Sequence, residues 1–354
     1  MGVDMDFGNY VQIIKTTDAE LRGYKNLAPE VKASILPLFE LTRSRSTKIV
    51  PDGDIRRRIT NINESVEGRF ILDLTSHESL INHQIEDLLD DANGFLSWTN
   101  FVIELETPGL IPAIHVYEDS DPENIKTQVI SLCNAFECVA FRVPADDRNL
   151  DFYLRNIVPS LKSESQLLVI IDAELITSSD FARKHEFIEN KIKFIRRQYP
   201  DISLCCSASS FPQYVVNLDG CEDEHGEFPI LEWSLFLGLK TRYENLIYGD
   251  YGSVHPIRYQ SRGGSWVPRI DYPLTETIIY SRFRRHVGGY EECAVELVDN
   301  TAFDRIPCWG TDQIIEASEG NPNGKSPSFW IAARINIHST RKVQDLHELY
   351  FGLL

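Results

Sequence analysis

The chain has 354 residues, of which 42% are hydrophobic and 25% charged. That is the make-up of a soluble globular protein, long enough for one large α/β domain with an appendage or for two ordinary domains. Its 53 acidic against 35 basic residues give a net charge of −18, which argues against non-specific binding of nucleic acid or anionic membrane by the whole surface.

Apolar runs of strand length alternate with segments of helical spacing from the first turn onward. YVQIIKT is followed by DAELRGYKNL, SILPLFEL by a polar stretch around GDIRRRITNI, and RFILDLT by HESLINHQIEDLLDDANGFLSW. LIPAIHVY then leads to DPENIKTQVISLCNAF, CVAFRVPA to LDFYLRNIVPSLKS, QLLVIIDAEL to SDFARKHEFIENKIKFIRRQY, and ISLCCSAS to EWSLFLGLKTRY, before NLIYGDYGS. Strands alternating with helices imply parallel βαβ units covered on both faces. Eight units in about 250 residues predict a (β/α)8 TIM-type barrel over residues 1–256. TNFVIELET, residues 99–107, leaves an extra strand open. Beyond residue 256 the sequence is rich in Gly, Pro and Ser, with strand-like pieces ETIIYSRF and WIAARINIH. It predicts an irregular C-terminal α+β extension, residues 257–354, with little core of its own, packed on the carboxyl-end rim of the barrel.

The carboxyl ends of barrel strands are where a site is expected. Read to their ends, the eight runs finish at Lys15, Glu40, Asp73, His115, Arg142, Asp172, Ser207 and Asp250. Alternation places Lys15 with Ile13, Glu40 with Leu38, Asp172 with Ile170 and Asp250 with Tyr248, which predicts that all four point inward. The competing reading is ordinary helix capping, for which Asp is favoured. Four carboxylates on one rim require a compensating cation or proton. Glu40, Asp73, Asp172 and Asp250 could hold a divalent ion such as magnesium, manganese or calcium. Alternatively, one carboxyl of raised pKa could act as a general acid beside His115. Asp250 lies between Gly249 and Gly252, with Tyr248 and Tyr251 beside it, so it is expected at the mouth, where Asp250→Asn would spare folding.

Other motifs narrow the choice. Arg258, Arg262, Arg269, Arg282, Arg284 and Arg285, interleaved with aromatics, reverse the local charge and suit phosphate or nucleotide recognition; the alternative is pairing with acidic barrel helices. CSASSFP lacks the G-x-S-x-G elbow of a serine hydrolase, and no P-loop, G-x-G-x-x-G or H-E-x-x-H is present. Seven cysteines without a C-x-x-C read as reduced, buried thiols. Cys205 and Cys206 point to opposite faces of a strand. The start, MGVDMDFGNY, has no basic or apolar leader, and no run approaches the ~18–20 apolar residues that span a bilayer, so a cytoplasmic protein without membrane association is expected.

Taken together, YVQIIKTTDAELRGYKNL, ILPLFEL, FILDLT, VIIDAEL, SASSFP, YGDYGSVHP and GNPNGKSPSFWIAARINIHSTRKV resemble the phage beta protein family, found in phages, prophages and bacterial mobile islands. The resemblance covers nearly the whole chain. It marks Lys15, Glu40, Asp73, Asp172, Ser210, Phe211, Pro212, Asp250 and Tyr251 in the barrel, and Asn321, Trp330, Asn336 and His338 in the extension. Gln12 departs from it where the family tends to have proline, and Ile337 precedes a single His338 where two histidines are expected.

The family's setting implies a part in phage–host conflict, as defence or immunity. The expected site therefore has Glu40, Asp73, Asp172, Asp250 and His338 as catalytic residues. Lys15, His115, Arg142, Arg262, Tyr251, Trp330 and Asn336 are expected to bind a phosphate-bearing ligand, a nucleotide or nucleic-acid end. Phosphoester hydrolysis is the expected reaction if the site is catalytic, with a divalent cation such as magnesium as the candidate cofactor. The alternative is a non-catalytic interaction module, an immunity, antitoxin or sensor subunit whose protein partner is encoded nearby.

Overall fold

The computed structural model describes residues 7–215, 218, 224–257 and 266–352. In chain order the elements are β1 (Tyr10–Lys15), α1 (Asp18–Lys25), α2 (Pro29–Ala33), β2 (Leu36–Leu41), α3 (Ile55–Asn63), β3 (Phe70–Leu74), α4 (His83–Leu89) and α5 (Ala92–Glu104). There follow β4 (Leu110–Pro112), α6 (Pro122–Ala135), β5 (Val139–Pro144), α7 (Leu150–Ile157), β6 (Leu167–Leu175), α8 (Phe181–Gln198), β7 (Ser203–Ser209), β8 (His225–Pro229), α9 (Leu231–Lys240) and β9 (Leu246–Asp250). The chain continues through β10 (Arg269–Pro273), β11 (Thr277–Arg282), α10 (Tyr290–Asp299), α11 (Trp309–Ser318) and α12 (Pro327–Phe351).

Eight parallel strands form one sheet in the order β4-β3-β2-β1-β9-β7-β6-β5. Its two ends meet through a single parallel bridge, Ala113 to Ala140, where the Ile114 N–H donates to the Ala140 carbonyl at 2.7 Å. The result is a nearly closed parallel barrel sheet surrounded by helices. Strand phase separates two apolar layers. Val11, Ile13, Leu38, Ile71, Leu168 and Ile170 fill the interior, while Tyr10, Ile14, Phe39, Leu72, Val169 and Tyr248 pack outward under the helices. Cys205 joins the inner cluster and Cys206 the outer one, as alternation requires. The segment TNFVIELET belongs to helix α5 and its following turn, so no extra strand interrupts the barrel.

The second sheet is antiparallel, in the order β10-β11-β8. It draws β8 from the connection after barrel strand β7 and the other two strands from beyond residue 256, so it crosses the expected boundary at 256. Gly226 lets it close, because a Cβ there would lie 2.8 Å from the Tyr280 ring. Contrary to the expectation of little core, Ile270, Tyr272, Ile279, Cys293, Leu297 and Trp330 join others of residues 270–337 in an apolar cluster of their own. This gives the extension an interior.

WIAARINIH is not a strand. It lies in α12, whose residues 332–342 are all buried. The helix packs on α1, α11 and β10. Toward α9 it places the Lys342 ammonium 4.4 Å from the Trp233 ring centroid. Gly23 of α1 makes the close crossing possible, since a Cβ there would sit 2.9 Å from the Ala332 carbonyl oxygen. The last long helix thus fills the place between α9 and α1, over the outer face of β1 and β9.

Candidate functional site

Inward-facing polar side chains converge at the carboxyl ends of the barrel strands. Register sets Lys15, Glu40 and Asp73 side by side on β1, β2 and β3, and pairs Asp172 with Ser207 across β6 and β7. Arg142, on β5, reaches across the mouth and binds three carboxylates. Its Nε donates to Asp172 Oδ2 at 2.8 Å, and its Nη1 to Glu40 Oε2 at 3.1 Å and Asp73 Oδ2 at 3.3 Å. Its Nη2 donates to the Tyr251 hydroxyl at 2.8 Å, which in turn donates to Asp172 Oδ2 at 2.6 Å.

The charges are strongly coupled. Burial alone would raise the Glu40 pKa, but Lys15 and Arg142, with His77 and the Thr75 hydroxyl, bring it down to about 2. Burial opposes the charge on Arg142, yet Tyr251, Asp172, Glu40 and Asp73 hold the guanidinium more firmly protonated than usual. The Lys15 ammonium lies 3.7 Å from Glu40 Oε2 and 5.0 Å from the Tyr251 ring centroid. His115 lies 3.9 Å from Asp73 Oδ1 and against Trp98 at 4.9 Å; burial lowers its pKa against the pull of Asp73.

Several calls come together here and others do not. Lys15, Glu40, Asp73, His115, Arg142, Asp172 and Tyr251 share the mouth. Asp250 sits at the same end of the barrel but faces outward: it shares the phase of Tyr248 and Leu246, which pack in the outer layer, whereas Ile247 and Tyr251 lie inside. The predicted inward placement is therefore corrected. Both faces of this strand are apolar, so alternation alone could not tell them apart.

Asp250 is instead the anchor of a buried relay. Its Oδ1 accepts from the Tyr10 hydroxyl and the Gly252 N–H, both at 2.9 Å, and its Oδ2 from the Tyr248 hydroxyl at 2.8 Å. His338 Nε2 lies 2.6 Å from Oδ2, and His338 Nδ1 lies 2.6 Å from Ser253 Oγ. Burial would raise the Asp250 pKa, but His338 and these hydrogen bonds lower it. Asp250, Ser253 and His338 are at most 1% exposed. The relay ties α12 to the end of β9.

The remaining extension calls are structural in place. Trp330 stacks on Tyr290 at 5.3 Å and donates to the Gly324 carbonyl, inside the extension core. Asn336 joins two helices, its Oδ1 accepting from the Gly310 N–H at 2.9 Å and its Nδ2 donating to the Gly23 carbonyl at 3.4 Å. Arg258 and Arg262 lie outside the described residues. Arg269 pairs with Asp271 within its own strand.

The expected divalent ion does not fit this donor set. Arg142 takes Glu40 Oε2, Asp73 Oδ2 and Asp172 Oδ2, and Asp250 faces away. Among the described residues no group of three or more His, Cys, Asp or Glu side chains is placed to hold a metal ion.

Two residues of the mouth escaped the sequence reading. Glu174 follows Asp172 by two positions, a parity signal that was present, and a register irregularity between Asp172 and Leu175 brings it to the rim. Its φ of +52° is left-handed, unusual for a residue with a side chain; burial and Asp172 raise its pKa. Thr75 donates to Glu40 Oε1 at 2.8 Å. Ser207, read as a strand end, faces inward beside Asp172 and is 1% exposed, with no hydrogen-bond partner for its hydroxyl.

Comparison with known proteins places the chain in a family. The family model described as Beta protein matches residues 10–344. The chain belongs to the Beta protein family. One relative in that family is Protein beta of Enterobacteria phage P4, 29% identical over 353 residues, covering 97% of this chain and 95% of the phage protein. No solved structure matches the chain. No helix among the described residues of this Beta-family chain is long and apolar enough to cross a membrane.

Proposed function

We propose that this Beta-family protein is a TIM-type (β/α)8 barrel, capped by its C-terminal extension, whose carboxyl-end mouth binds a nucleotide or nucleic-acid end in the cytoplasm, in the service of phage–host conflict. The observation that carries the reading is the convergence of Lys15, Arg142, Asp172 and Tyr251 with the unpartnered Ser207 hydroxyl at the strand ends. A buried polar atom without a partner is costly unless something else completes it, and the carboxyl end of a parallel barrel is where ligands bind. Glu174, with its raised pKa and open position at the rim, is the group suited to take a proton from water if a phosphoester is hydrolysed.

The experiment is calorimetric titration of the protein with ribonucleotides and short oligonucleotides, repeated on Arg142→Lys and Glu174→Gln. Binding that weakens in Arg142→Lys supports the reading, and loss of any phosphoester turnover in Glu174→Gln with binding retained supports catalysis. Absence of binding by every nucleotide overturns it. One observation favours the second reading, a non-catalytic partner-binding module. Ile49, Tyr214 and Trp266, on the connections after β2, β7 and β9, are 92%, 59% and 44% exposed, large apolar side chains on loops that follow barrel strands.

A further inference from the structure

Charge and hydrogen-bond capacity restrict what can enter the mouth. At the mouth two cations, Lys15 and Arg142, face Glu40, Asp73 and Asp172, with Glu174 at the rim, so carboxyl groups outnumber cations. Burial shifts His115 toward its neutral form and away from adding a cation. Arg142 has its Nε, its Nη1 and one Nη2 hydrogen committed to protein acceptors, which leaves a single N–H. A phosphate drawn inside would bring its charge against three carboxylates with no uncommitted fork to receive it.

The unmet capacity is of a different kind. Ser207 Oγ, buried at the level of Asp172 and turned inward with Cys205, has no partner. A hydroxyl both donates and accepts. Carboxylates held by a guanidinium retain lone pairs that accept from further O–H groups. The complement to such a wall is a neutral ring carrying several hydroxyls.

Resting on the nucleotide reading, we infer that the ribose enters the mouth first, its hydroxyls meeting Ser207 and the Asp172 side of the carboxylate ring, while the phosphate stays outside at the rim. Recognition then centres on the sugar hydroxyls, so ribose is preferred to deoxyribose and the free nucleoside binds about as well as its monophosphate.

The test is titration of the full chain with four ribonucleosides, their 5′-monophosphates, the matching 2′-deoxynucleosides and inorganic phosphate. The expected result is similar affinity for nucleosides and monophosphates, no competition by phosphate, and roughly fivefold weaker binding of deoxynucleosides, the worth of one neutral hydrogen bond. Ser207→Ala, which loses no hydrogen bond within the protein and is expected to melt normally, should abolish that ribose preference. Binding of monophosphates alone, with phosphate competing, overturns the inference and leaves the nucleotide site intact. Nucleoside binding that ignores both the sugar hydroxyl and Ser207→Ala also overturns it. No binding by any probe overturns the nucleotide reading itself.

Discussion

Replacing Arg142 with methionine keeps a long side chain at the mouth and removes the charge that three carboxylates share. In the native protein Glu40 is held near pH 2 instead of its ordinary 4.5, a difference worth about 3 kcal/mol at neutral pH. Because the folded value is depressed, that contribution is complete above about pH 4.5 and disappears as pH falls through about 2. Without Arg142, burial at Glu40 is opposed only by Lys15, His77 and the Thr75 hydroxyl, and its carboxyl moves toward the neutral form. We expect Arg142→Met to lose about 3–5 kcal/mol at pH 7, the usual cost of breaking a buried ion pair from one side. As the variant takes up protons on acidification, its deficit should shrink toward pH 4.5. Arg142→Lys, which keeps the charge but not the fork, should lose less. Guanidinium unfolding followed by tryptophan fluorescence at several pH values reads both quantities. A loss below about 1 kcal/mol at pH 7, or a deficit of the same size at pH 7 and 4.5, would refute the electrostatic account.

Asp250→Asn should not spare folding, as a mouth position would have allowed. The new amide NH2 faces donors from Tyr10, Tyr248, Gly252 and His338, so a loss of about 2–4 kcal/mol is expected in thermal or chemical melting. Gly310→Ala should lose about 2 kcal/mol or more, because its Cβ would collide with the Ala333 backbone of α12; unchanged melting would show that the two helices slide apart freely. Glu174→Gly should hold or gain stability by about 0.5–1 kcal/mol, since glycine accepts the left-handed backbone at φ +52°. Destabilisation of that variant would mean that the Glu174 side chain, and not its backbone, holds the rim.

Most of the barrel was legible because its strands are apolar on both faces and end in polar residues at turn signals. That same property hid the orientation of Asp250. On β1 and β6 the inward phase could be read from Lys15 and Asp172, yet on β9 the decisive inward residues were Gly249, with no side chain, and Tyr251, beyond the strand. The helix α12 was misread because burial on every side removes the amphipathic period by which helices are recognised. In WIAARINIH, Ile335 and Ile337 alternate with Arg334, Asn336 and His338 in a strand-like rhythm. Arg142 appeared as one strand end among eight. Its role as the hub of three carboxylates depends on reaching across from β5 to β2 and β3, a long-range fact that local pattern does not carry. Ser253 had no local signal, since its partner His338 is 85 positions away.

The position of α12 also sets a timetable for synthesis. Gln12, near the beginning of the chain, donates to Ser339 at 2.7 Å, and the Gly23 crossing on α1 is filled by residues around 332–335. A nascent chain emerging from the ribosome therefore exposes the outer face of β1 and one side of α1 until the last helix has been made. Through most of translation the first strand has its neighbour β2 but neither its other sheet neighbour, β9, nor its cover. Such an uncovered strand edge is a site for pairing with other chains. Loss of residues near 340 would leave all eight barrel strands paired but the outer face of β1 and β9 without the helix that covers it.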